Sequence, residues 1–241
     1  VSTFGSCFAQ HIGRALQANG YNWFDAEPAP SLIEPEILRR FNYGIFSART
    51  GNIYTTTLLL QWVEWALGIK EPPQDSWQKD NRFYDPFRPH IEPNGFVSHE
   101  EMLVSRQATL EAFRRTLVES SLFVFTLGLT ECWRNTEQNY EYAVCPGTVA
   151  GEFDKDKHTF VNLDVKSVSQ ALIKSIRLIR EVNPKIRFLL TVSPVPLTAT
   201  ASGKHVLLAT MLSKSVLRSA ANEVALKRRY VDYFPSFEII N

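Results

Sequence analysis

The chain has 241 residues, 44% hydrophobic and 21% charged, which is enough for a sizeable core and too apolar for a disordered chain. Lys plus Arg number 26 against 25 Asp plus Glu, a net charge of +1, so a nucleic-acid partner held by a global basic field is excluded. No apolar run approaches the roughly 20 residues of a membrane span, and three cysteines make no disulfide framework and point to a reducing, cytoplasmic compartment.

The chain begins at Val1 inside an apolar run and stops at Asn241 shortly after a strand-like one. Both cuts predict flanking sequence. In chain order, Val1–Phe4 reads as a strand entering Gly5. Cys7 to Asn19 has helical spacing, with Phe8, Ile12, Ala15 and Leu16 on one face and Gly20 beyond its end. Tyr21–Phe24 reads as a second strand, so the first 24 residues predict a βαβ unit. Asp25 to Pro35 is Pro-rich loop, and a short helix follows at Glu36–Phe41. Thr56–Gly68 is helical. Lys70–Gly95 is a long loop carrying Trp77, Phe83, Tyr84 and Phe87.

Ser98–Ser120 reads as the longest helix, opened by a Ser98/Glu101 capping box. Leu122–Leu127 is a continuous apolar run, as expected of a strand buried on both faces. Asn135–Thr159 reads as an insertion with turn signals. Val165–Glu181 is an amphipathic helix, Ile186–Val192 a buried strand, Lys204–Arg229 a long helix and Tyr230–Phe234 a last strand. Such alternation predicts one α/β domain over residues 1–241, three-layered (α/β/α), with a mostly parallel sheet.

In parallel sheets, sites gather at the carboxyl ends of the strands. Three strand ends stand out: Gly5-Ser6-Cys7, Gly128-Leu129-Thr130-Glu131, and Ser193-Pro194-Val195-Pro196. A Cys at a strand-to-helix turn meets free N–H groups and the positive end of the helix dipole, which favour a thiolate and a developing oxyanion. The alternative there is structural: Ser6 as helix cap and Cys7 as a small buried residue. Thr130 and Glu131 read equally as a helix cap. The prolines force an extended arm after Ser193. Of five histidines, His11 lies one helical turn after Cys7, His205 opens the long helix, and His90, His99 and His158 read as surface residues in loops or at a helix start. No zinc-type spacing and no phosphate-binding Gly-rich loop occurs, so neither a metal nor a nucleotide cofactor is expected.

Gly5-Ser6-Cys7-Phe8-Ala9 resembles the motif for which the GSCFA family is named. Further stretches resemble it too: Gly51-Asn52-Ile53-Tyr54-Thr55, Asp85-Pro86-Phe87-Arg88-Pro89, Thr126 to Glu131, Cys145-Pro146-Gly147-Thr148, Thr191 to Pro196, Ser213 to Arg218 and Tyr233 to Ser236. The family is grouped with SGNH (GDSL-like) hydrolases, which implies a flavodoxin-like α/β/α domain and acyl-ester hydrolysis. The resemblance puts Cys7 at the nucleophile position, with Ser6 as the other candidate. It makes Gly51 and Asn52 oxyanion candidates and sets Thr130 where Asn is expected. Glu131 and Ser193 become substrate-binding candidates. The superfamily's closing Asp-x-x-His is not in the sequence, so its His lies beyond Asn241 or His205 serves as base. The competing readings are an acyltransferase acting on a saccharide, with acyl-CoA as a donor and the Trp77–Phe87 loop excluding water, and a catalytically inactive binding module.

Overall fold

The computed structural model describes residues 1–240. Strand β1 (Ser2–Gly5) leads into helix α1 (Ala9–Ala18); α2 (Pro35–Arg40) and α3 (Thr56–Ala66) follow. The hairpin β2 (Trp77–Lys79) and β3 (Arg82–Tyr84) precedes α4 (His99–Glu119) and β4 (Leu122–Leu127). Next come β5 (Glu131–Asn135), β6 (Glu141–Tyr142), β7 (His158–Asn162), α5 (Val165–Val182), β8 (Arg187–Val192), α6 (Val206–Leu226), β9 (Val231–Phe234) and α7 (Ser236–Ile240). The central sheet is all parallel, in the order β1-β4-β8-β9.

Side chains alternate across that sheet. Phe4, Phe123, Phe125, Phe188 and Leu190 enter the main core with Trp62 of α3 and Phe113 of α4. Phe4 stands edge-on to Phe113 at 4.8 Å and stacks on Phe123 at 5.3 Å. Rings in such geometry add about 1 kcal/mol beyond their burial. On the opposite face, α1 and α7 flank Val124, Leu189 and Thr191. No helix among the described residues is long and apolar enough to cross a membrane.

Two expectations are corrected. Tyr21–Phe24 forms no strand. Phe24 N–H donates to Val1 O, and the Trp23 indole N–H donates to Thr3 Oγ1, so the segment is tied to β1 without a ladder. The open edge of β1 is instead covered by residues 47–53. Ser47 N–H donates to Thr3 O, Ser47 Oγ accepts from Thr3 N–H, and Ile53 N–H donates to Gly5 O. The turn at Thr50 and the positive φ of Gly51 (65°) keep that segment from pairing as a strand.

Second, Thr130 and Glu131 cap no helix. Glu131 begins β5, and residues 131–162 build an antiparallel sheet, β6-β5-β7. His158 lies in β7 rather than in a loop, its Nδ1 accepting from Asp154 N–H.

The long aromatic loop is pinned to the body and holds the β2–β3 hairpin. Trp77 and Phe87 are buried and pack on Tyr142. The loop is anchored by Asp85, whose carboxylate holds Arg88 at 2.8 Å and Arg106 at 2.9 Å. Arg106 then reaches the carbonyls of Pro73 and Asp75.

Candidate active site

β1 delivers the first site residues. Gly5 takes φ +128°, and a Cβ there would stand 2.2 Å from Thr126 O, so only Gly lets β1 end this close to β4. The chain then turns into α1. Ser6 N–H donates to Thr126 O and Ala9 N–H to Ser6 O. Between them, the N–H groups of Cys7 and Phe8 meet no acceptor among the described residues. Ser6 is not the helix cap: α1 has no side-chain cap, and the buried Ser6 Oγ has no partner. Cys7 is half-buried and lines a cavity of about 610 Å³.

That cavity lies at the carboxyl ends of β1, β4 and β8. Ser6, Cys7, Glu131 and Ser193, predicted from the sequence, all line it. Their roles within it differ. Glu131 Oε1 accepts from Thr200 Oγ1 at 2.6 Å, tying residues 193–201 along one wall. Ser193 Oγ accepts from Val195 N–H at 3.3 Å. Thr130 does not line the cavity: its N–H donates to Ser213 Oγ, and its hydroxyl donates to Asn162 Oδ1. Gly51 and Asn52 line a separate narrow cleft with Tyr54 and Arg88. Asn52 Oδ1 is buried there without a partner.

The histidines are not brought to Cys7. His205 is exposed and caps α6, its Nδ1 accepting from Leu207 N–H at 3.3 Å. His11 lines the groove between α1 and α7 with Phe8 and Ile12, across the sheet from the main core. A buried lysine, Lys214, reaches the carboxyl end of β4 instead. It lies on α6, 1% exposed, and its Nζ donates to Gly128 O at 2.7 Å. Burial lowers its pKa to about 8, and the nearby Cys7 charge opposes that shift. Lys214 lies behind the cavity wall, whereas Tyr54 lines the cavity. Burial, then the Cys7 charge, pushes its phenol up to about 12. The two residues meet at the end of β4: Lys214 Nζ donates to Gly128 O, and the Gly128 and Leu129 N–H groups donate to Tyr54 O.

One sequence signal marks Lys214. It shares a helical stripe with Leu217, Ala221 and Val224, all buried. A lysine in register with a core stripe is rarely buried without a task. Tyr54 carries no comparable pattern.

No group of three His, Cys, Asp or Glu side chains among the described residues is placed to hold a metal ion. The fold and cavity define an α/β protein with a cysteine-bearing site at the ends of its parallel strands. The GSCFA family model matches residues 1–241, and the chain belongs to that family. No curated protein and no solved structure matches it.

Proposed function

We propose that this chain is an SGNH-like hydrolase of acyl esters with Cys7 as nucleophile and Lys214 as base. One observation carries the reading: a half-buried thiol at the first strand-to-helix turn lines the cavity, and a buried lysine of lowered pKa is bonded to Gly128 O in the same cavity's wall. The exposure of Cys7 favours it over Ser6, which is 2% exposed with its hydroxyl buried.

In the first half, the Cys7 proton passes to the neutral Lys214 amine while Sγ attacks the ester carbonyl. The C–O bond breaks, and the Lys214 ammonium returns the proton to the leaving alkoxide. In the second half, Lys214 takes a proton from water. The resulting hydroxide attacks the thioester, the C–S bond breaks, the Lys214 ammonium returns its proton to the Cys7 thiolate, and the carboxylic acid is released. The Cys7 and Phe8 N–H groups and the protonated Tyr54 phenol supply donors for the oxyanion. Gly128 O fixes the lysine, which restricts the amine to one approach.

The test is hydrolysis of short p-nitrophenyl esters by the native chain and by Cys7→Ala, Ser6→Ala and Lys214→Met. Loss of turnover in Cys7→Ala and Lys214→Met but not in Ser6→Ala supports the assignment. Full rate in Cys7→Ala sinks it. Turnover only when a saccharide acceptor and an acyl-CoA donor are added identifies a transferase. Ligand binding with no turnover identifies a binding module.

A further inference from the structure

Resting on the reading of Cys7 as an acyl acceptor, we infer that the acyl group is a linear aliphatic chain held along the apolar body of the cavity. The cavity's lining is more apolar than polar. At the Cys7 end stand the thiol, the unpartnered Ser6 hydroxyl and the Tyr54 phenol. The apolar walls include Leu58, Trp133, Val144, Phe160, Val195 and Leu197.

The polar side chains among these walls are already paired within the protein. Glu141 accepts from the Thr55 and Thr57 hydroxyls, and burial raises its pKa. Glu131 is held by Thr200, and Ser193 Oγ accepts from Val195 N–H. A saccharide in this space would set most of its hydroxyls against apolar walls, at a cost for each one left unpaired. A methylene chain loses nothing of that kind and gains from leaving water. The volume of about 610 Å³ falls in the range of small-molecule sites. Apolar surface also continues past the wall at 193–201. Leu197 N–H donates to Thr210 Oγ1, and beside Thr210 the side chains of Leu207, Leu208, Met211 and Leu212 are exposed.

The test is a p-nitrophenyl ester series from acetate to decanoate, with kcat/KM read for each. The expected rise is about two- to fourfold per added methylene until the chain outgrows the cavity. Ala199→Trp narrows the cavity from its exposed wall, and it is expected to lower the decanoate-to-acetate ratio of kcat/KM at least tenfold. A flat series, or one highest on acetate, overturns the inference, as does an unchanged ratio in Ala199→Trp. Calorimetry of hexanoic and decanoic acids against Cys7→Ala separates the two readings. Chain-length-dependent binding without any turnover by the native chain supports the cavity's role and defeats the hydrolase. Turnover of short esters with no chain-length dependence does the reverse.

Discussion

Lys214 Nζ donates a 2.7 Å hydrogen bond to Gly128 O, joining the middle of α6 to the end of β4. Gly128 in turn has no room for a side chain: a Cβ would stand 3.0 Å from both Ser6 Cβ and Tyr54 O. The lysine is thus seated behind the turn that carries Cys7. A charge so placed is costly unless it is used, since desolvation favours the neutral amine at a pH where an ordinary lysine is an ammonium.

The first expectation concerns rate. A base with a pKa of about 8 gains its neutral form as pH rises. Ester hydrolysis should climb about tenfold per pH unit below 8 and level off above it. Lys214→Met should lower kcat by about 100-fold or more and abolish that limb. A pH–rate profile that is flat from pH 6 to 9 would remove Lys214 from the base role.

The same group makes a separate claim about stability. Its pKa falls from 10.5 to about 8 on folding. Below about 8 it is charged in both states, and the burial penalty is fully present. Between about 8 and 10.5 the unfolded chain binds more protons, so stability rises with pH. The native chain should gain on the order of 3 kcal/mol relative to Lys214→Met across that window. Urea unfolding at pH 7.5 and pH 10.5 measures it, and a constant difference between the two proteins would count against the buried ammonium.

Tyr54 offers a donor at the cavity wall because its phenol stays protonated well past neutrality. Tyr54→Phe removes the hydroxyl and keeps the ring against Gly128. The expected loss is about 100-fold in kcat with little change in KM. A change confined to KM would make the phenol a ground-state contact instead.

His205 is expected to matter for α6 rather than for chemistry. Its Nδ1 accepts from Leu207 N–H at the helix start. His205→Ala should cost about 1 kcal/mol of stability and leave the esterase rate within twofold. A loss of rate comparable to that of Cys7→Ala would return the histidine to the reaction.

Asp85 anchors the long loop. Burial alone would raise its pKa, but the guanidinium groups of Arg106 and Arg88 outweigh this and hold it below the usual carboxylate range. Its contribution is therefore present above the ordinary carboxylate pKa and is lost as pH falls through the lowered value. Asp85→Asn leaves two buried arginines without a countercharge, which should destabilise the chain by about 3–5 kcal/mol. Thermal unfolding checks this, and a change in Tm of under 2 °C would contradict it.

Local patterns carried much of the fold. The apolar run Leu122–Leu127, the capping box at Ser98 and the amphipathic stripe of α5 each specify an element through neighbours within a few residues. Strand β5 was hidden because Glu131–Asn135 pairs with His158–Asn162, far along the chain, in the register Trp133 opposite Phe160. Nothing within Glu131–Asn135 itself announces that partner. Tyr21–Phe24 failed for the converse reason: its strand-like composition is real, but residues 47–53 occupy the edge of β1 it would have needed.

The site divides along the same line. Residues alone placed Cys7 at a strand–glycine–helix turn, because Gly5, a buried strand and a helical stripe are all local signals. They also marked Ser6, Glu131 and Ser193, which share the cavity. Which titratable group is buried at the strand ends was decided by packing. α6 packs on β8 and β9 and carries Lys214 inward to Gly128 O, while the first turn of the same helix leaves His205 in solvent. Sequence position ranks the histidine and the lysine as near neighbours. Only the docking of one helix face against the sheet separates a buried amine of lowered pKa from an exposed imidazole.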